Sequence, residues 1–279
     1  MTDPDKSKDN NPSEEAVQDP RTAPRERSIR LPLSVKVNGQ LTREVTLRRT
    51  TGWEEDLLRD ESGGEKARMN RVSQVLSQCT VAMGSKIRTG ETGDNHKEDQ
   101  TLFFDEYQGM YSPSRSFAWV KLRQLSHGHL FKFGATCPHC KKHNDKITVD
   151  LRDLTVVEAT DEFCQEEVHT FSADGHVVEW RMIDGEAEFK LLQLRKANPG
   201  NLESAELYPY IQKIDGKKPN SVVDLLSLSG EFRAGLRDAT SVGGMDLLIT
   251  TTCRHMDCGR EFQNMLPIYN KSFFSPGGR

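Results

Sequence analysis

Two short cysteine pairs far apart in the chain constrain its fold more than any other feature: Cys137-Pro138-His139-Cys140 and Cys253-Arg254-His255-Met256-Asp257-Cys258-Gly259. Each follows a strand-like run, Leu130–Phe133 before the first and the β-branched stretch Leu248–Thr252 before the second. A C-x-x-C turn presents two thiolates on one rigid knuckle. Pro138 stiffens the first, and Lys141 and Lys142 offset its negative charge. The second knuckle is wider by two residues. Its Cys258-Gly259 ending still lets the chain turn so that N–H groups face the sulfur. Brought together, Cys137, Cys140, Cys253 and Cys258 supply the four thiolates that Zn²⁺ binds tetrahedrally. The long spacing is no obstacle, because loop-closure entropy grows only logarithmically with length.

Other chemistries are open to such residues. A redox C-x-x-C requires a strand–turn–helix setting, whereas Ile147, Val149 and Leu151 alternate after the first pair and continue a strand. His127, His129, His139, His143 and His255 crowd the cysteines, and an open, water-carrying site draws on such residues. No acid stands at a recognised general-base spacing, so a closed structural site is expected, with His255 able to replace Cys253 or Cys258. Cys79 lies on the apolar stripe Met69, Val72, Val75, Leu76, Cys79, Met83 and reads as core. Cys164 reads as an ordinary buried thiol.

A chain of 279 residues with 38 basic and 42 acidic side chains has room for two modest domains and no general pull towards nucleic acid. No apolar run reaches the length of a membrane span. Met1 to Arg30 lacks the apolar core of a secretion signal, so a reducing cytosol is expected.

Residues 1–29 are polar, charged and proline-containing, the composition of a disordered arm. Strands follow: Ile29–Val37 alternates, Asn38-Gly39 signals a hairpin, and Val45–Arg48 returns. A short helix opens at Gly52. A longer one carries the Met69–Met83 stripe and ends at Gly84, and Ser114–Leu125 is another. Gly84–Gln100 is a polar loop. Arg115, Lys121 and Arg123 read by default as solvated charges. Beyond the first cysteine pair the pattern recurs. Val178–Glu188 matches Val45–Glu55 at constant offset, sharing valine, arginine, glycine and glutamate, and Asp174-Gly175 repeats the turn. Val222–Leu236 is its expected apolar-faced helix. The expectation is therefore α+β: a disordered arm (1–29), a first strand–helix module (30–129), and a zinc-ribbon-like region (130–279) with a second module inserted over about 168–240.

No phosphate loop, nucleophile elbow, H-E-x-x-H or dinucleotide fingerprint occurs, so no enzyme and no small-molecule substrate are expected. The run LTREVTLRRTTGWEEDLL (Leu41–Leu58) resembles the opening of the small baseplate-hub and tail-assembly proteins of T-even-type contractile phages. Ser116–Cys140, Trp180–Leu192 and the terminal TTTCRHMDCGREFQNMLPIYNKSFFSP follow in the family's order. The resemblance covers about residues 31–275. It implies a non-enzymatic part of a contractile tail or a related injection machine, with the four cysteines at the family's knuckle positions. Its partners would be other baseplate or tail proteins, and its location cytoplasmic during assembly or within the particle. The alternative is a zinc-ribbon protein that binds nucleic acid, suggested by Lys141, Lys142, Lys146, Arg254 and Arg260 beside the knuckles.

Overall fold

A computed structural model describes residues 25–60, 62–89 and 101–274. The fold is α+β, with antiparallel strand pairing throughout its sheets. The expected arm lies outside the described residues up to residue 24. Its last residues belong instead to the first strand, because Glu26–Arg30 pairs with Glu44–Arg48.

The first half begins with β1 (Glu26–Val37) and β2 (Gln40–Arg48). They are joined by Asn38 and Gly39 at φ +51° and +82°, the left-handed pair that a two-residue hairpin requires. Two helices follow, α1 (Gly52–Arg59) and α2 (Glu65–Cys79). The chain then returns as β3 (Thr80–Met83) against β2, with β4 (Lys86–Ile87) outside it. The long helix therefore stops at Cys79 and not at Gly84. Thr80 and Val81 are β-branched; Thr80 pairs with Leu47 of β2, and Val81 O accepts the Arg88 N–H at 2.8 Å. Of the polar loop expected over Gly84–Gln100, residues 90–100 lie outside the described residues. Then come α3 (Phe104–Gly109), α4 (Ser112–His127), and a two-stranded ribbon of β5 (Leu130–Thr136) and β6 (His143–Asp150).

After β7 (Val156–Val157) and α5 (Asp161–Gln165), the same order of elements recurs in shorter form. The strands β8 (His169–Ala173) and β9 (His176–Trp180) turn at Asp174 and Gly175, with φ +48° and +78°. Helices α6 (Gly185–Ala197) and α7 (Leu202–Leu207) follow, and β10 (Ile211–Ile214) returns against β9. The strand orders β1-β2-β3 and β8-β9-β10 are equivalent. The helix expected over Val222–Leu236 is broken. A 3₁₀ turn spans Val222–Ser227, and α8 (Gly230–Thr240) starts afresh where Ser229 accepts the Phe232 N–H at 3.0 Å, a side-chain N-cap. Strand β11 (Gly244–Met245) pairs with β7, and β12 (Leu248–Thr252) and β13 (Glu261–Met265) form a second ribbon.

Two apolar cores result, and neither divides at residue 129/130. The larger combines β1, β2, α2 and α4 with Phe131, Phe133 and Ile147 of the first ribbon. It also takes Phe262, Leu266, Ile268, Phe273 and Phe274 from the end of the chain. A two-stranded ribbon cannot cover its own apolar face, so both ribbons lean on the first half. The smaller core gathers Val178, Trp180, Leu207, Ile211, Leu225, Phe232 and Leu236. The stretch from Ile268 to Phe273 is strapped down by α4: Trp119 Nε1 donates to Ile268 O at 2.8 Å, and Arg123 Nε donates to Phe273 O at 3.1 Å. Burial of Phe273 and Phe274 contributes about 1.5–3 kcal/mol each.

Arg115 and Arg123 are buried, contrary to their reading as solvated charges. Helix α4 is covered by elements of both halves, so its polar positions have no open face. Arg115 forms an ion pair with Glu188 of α6, and its Nε donates to Ser73 Oγ at 3.1 Å and its Nη2 to Met69 O at 2.6 Å. Gly185 makes the approach between halves close. A Cβ there would stand 3.1 Å from Gln108 O and 3.3 Å from Arg115 Nε. No helix among the described residues is long and apolar enough to cross a membrane.

Candidate metal centre

Each ribbon carries one cysteine pair at its tip, and the two tips meet. The ligand atoms of Cys137, Cys140, Cys253 and Cys258 all lie within 4.8 Å of one another. The Cys137 and Cys258 sulfurs are 3.8 Å apart and those of Cys140 and Cys253 are 3.6 Å apart. All four cysteines are free thiols. A disulfide would bring two sulfurs to about 2.05 Å. Tetrahedral coordination with metal–sulfur bonds of about 2.3 Å places sulfurs about 3.8 Å apart. The donor set and its spacing fit that geometry.

The two knuckles are built alike despite their different lengths. In the first, the Cys137 N–H donates to Lys142 O at 3.0 Å; in the second, the Cys253 N–H donates to Arg260 O at 2.9 Å. The residue after the second cysteine is left-handed in both, Lys141 at φ +61° and Gly259 at φ +56°. Glycine adopts that conformation without penalty, whereas Lys141 is held there by the Lys141 N–H to Cys137 O bond at 2.9 Å. The two extra residues of the second knuckle are absorbed in a turn closed by Cys258 N and Gly259 N, both bonded to His255 O.

Cross-contacts lock one tip to the other. Buried Asn144 of β6 accepts the Arg254 N–H at 2.8 Å through its Oδ1. His139 and His255 reach from their own knuckles to main-chain oxygens of the opposite ribbon, Glu261 O at 3.1 Å and His143 O at 2.9 Å. His255 is therefore engaged elsewhere and does not replace a cysteine. His127, His129 and His143 also stay out of the cluster: His129 and His143 face Asp150 and Asp145 at 3.7 and 3.4 Å, and His127 is packed edge-on to Phe274.

Electrostatics favour a cation at the centre. Burial alone would raise the Cys137 thiol, yet the N–H groups of Cys140 and His139, with the neighbouring sulfurs, bring it down to about 6. The Lys142 N–H draws the Cys140 thiol down, but burial and the surrounding sulfurs prevail and push it up to about 11. One thiolate thus forms readily and opposes the next, and four together need a positive ion between them.

The remaining cysteines sit apart from the cluster. Cys79 is fully buried in the larger core, where burial and the nearby Glu54 carboxylate push its thiol well above the usual range. Cys164 is buried in the smaller core and accepts from Arg43 Nη2 at 3.2 Å and the Ser34 N–H at 3.5 Å. The contribution of Asn144 to the second knuckle escaped sequence reading. An asparagine just beyond the first knuckle carries no signal of a partner more than a hundred positions away. The chain matches no protein-family model, and no curated protein or solved structure matches it.

Proposed function

We propose that this protein is a non-catalytic assembly adapter in the baseplate of a contractile phage tail or a related injection machine. In this reading a structural zinc ion on Cys137, Cys140, Cys253 and Cys258 clasps two copies of one strand–helix module. The carrying observation for the metal is the closed donor set: four sulfurs at tetrahedral spacing occupy every vertex and leave none for water or substrate. The repeated order of elements and the equivalent strand orders support an internal duplication. Each copy ends in a ribbon with one knuckle, so neither holds a complete site alone. The tail assignment rests on the ordered resemblance of sequence blocks, and a doubled, metal-pinned scaffold suits an adapter between subunits.

The test has two parts. Elemental analysis of the purified chain is expected to give one zinc per chain. Affinity capture in the presence of tail tube, sheath and hub proteins is expected to retain at least one of them. Metal-free protein that melts like the purified form refutes the clasp, and failure to retain any tail component refutes the adapter.

A second reading, nucleic-acid binding, draws on the exposed Lys141, Lys142, Lys146, Arg254 and Arg260 around the knuckles. Interleaved Asp145, Asp257 and Glu261 weaken it, Lys142 facing Asp257 at 3.9 Å. An affinity for DNA that falls steeply with salt would favour it.

A further inference from the structure

The two ribbons border a cleft of about 310 Å³. One wall is Thr148, Val149 and Asp150 of β6, and the other is Leu248, Ile249 and Thr250 of β12. Successive strand residues point to opposite faces. Three consecutive residues of each strand can therefore border one cleft only where it looks onto the strand edges.

Hydrogen bonding shows that these edges have backbone groups to offer. In the first ribbon the Leu151 N–H bonds His129 O at 2.9 Å. With the register Phe131↔Val149, Lys132↔Thr148 and Phe133↔Ile147, the alternation of an antiparallel ladder turns the N–H and C=O of Thr148 outward. In the second ribbon the ladder is bracketed by Leu266 N to Leu247 O at 2.8 Å and Cys253 N to Arg260 O at 2.9 Å. Thr250, paired with Gln263, is turned outward by the same alternation. Each ribbon has two strands, and among the described residues neither β6 nor β12 pairs with a further strand. At one end the outward N–H of Leu248 is taken by Asp246 Oδ1 at 2.8 Å, which marks where free edge begins.

We infer that this cleft is a docking groove for an extended, lysine- or arginine-bearing segment of a partner protein, which joins the ribbons as an added strand. Main-chain pairing along Thr148 and Thr250 supplies the affinity. The choice of a basic segment follows from the carboxylates on the cleft wall. Asp150 is already paired with Arg152 at 2.7 Å, but Asp153 and Asp246 also line the cleft and offer carboxylate oxygens to an incoming cation. That the partner is an assembly component rests on the proposed function; the groove itself does not.

The test uses the full chain with its metal and a synthetic octapeptide of alternating lysine and valine. Two controls accompany it, an alternating glutamate–valine peptide and a lysine–valine peptide interrupted by proline. The lysine–valine peptide is expected to slow amide exchange at Thr148 and Thr250, and both controls are expected to leave it unchanged. Asp153→Lys, remote from the cysteines, should weaken binding about fivefold, the upper equivalent of one lost exposed ion contact. Thr250→Pro removes an outward donor and should abolish the slowing at Thr148 while the metal content stays at the parent level. Unchanged exchange in the metal-loaded parent overturns the groove and leaves the clasp standing. Equal binding of the proline-interrupted peptide overturns strand addition. A chain without metal overturns the clasp, and the parent and Asp153→Lys titrations then judge the groove separately.

Discussion

His255 Nε2 lies 2.9 Å from the backbone oxygen of His143. A carbonyl only accepts, so the proton of this bond resides on Nε2. The relation is reciprocated: His139 Nε2 lies 3.1 Å from Glu261 O. Each histidine stands two places after the first cysteine of its knuckle, and each acceptor stands three places after the second cysteine of the other. The two tips thus clasp each other through equivalent bonds around the four sulfurs.

Loss of either histidine should leave the ligand set intact. His139→Ala and His255→Ala are each expected to lower stability by about 1 kcal/mol, the worth of one hydrogen bond, and to keep the parent's metal content. Cobalt substitution checks this directly: the sulfur-to-metal charge-transfer bands should match the parent in intensity. A weaker band in His255→Ala would show that the imidazole is a ligand.

Removing one sulfur should do far more. Cys137→Ser or Cys258→Ser is expected to release the metal and lower the melting temperature by about 5 °C, as loss of some 3 kcal/mol would do in a chain of this size. A strong chelator should bring the parent to the same value. Elemental analysis and thermal unfolding with and without chelator are the measurements.

The ion pair between the halves gives a different signature. Glu188→Ala strands the fully buried Arg115 charge and should cost about 3–5 kcal/mol. The double replacement Arg115→Met with Glu188→Leu removes both charges and should recover most of that loss. Denaturant unfolding of the three variants checks the coupling.

Acid sensitivity should trace in part to His127. Burial, then the nearby Arg123, lowers its imidazole to about 4 from the usual 6.5. Below pH 6.5 the unfolded chain binds this proton and the folded chain does not, so stability is complete above pH 6.5 and falls as pH drops towards 4. The full effect is on the order of 3 kcal/mol. His127→Gln should remove this component from the stability–pH profile. Glu54 acts in the same direction further into acid. Burial would raise its carboxyl, but Arg48 and Thr51 hold it below its ordinary value, so its contribution is lost as pH falls through that lowered value. A His127→Gln profile that superimposes on the parent between pH 6.5 and 4 would refute the assignment.

The hairpin turns and the two cysteine knuckles were legible because their signals are local. Asn38-Gly39 and Asp174-Gly175 demand left-handed backbone wherever they occur, and a cysteine pair on a strand turn brings two thiolates together without outside help. The stripe through Met69 and Cys79 likewise announced a buried helix face, although its last turn became β3 once β2 offered hydrogen bonds. Charged residues on α4 misled for the opposite reason. Arg115 and Arg123 look like solvent-facing positions on a helix with one apolar side, and their burial follows from packing on every side.

Local chemistry along the chain was thus enough to single out Cys137, Cys140, Cys253 and Cys258, which the fold gathers into one possible metal site at the tips of two strand pairs. It could not say which side chains support them. Asn144 reaching Arg254, His255 reaching His143 and Arg115 reaching Glu188 join positions from 73 to 112 residues apart. Such pairs form only when packing of the two halves brings distant backbone into hydrogen-bond range, a consequence of shape and burial that no run of neighbouring residues encodes.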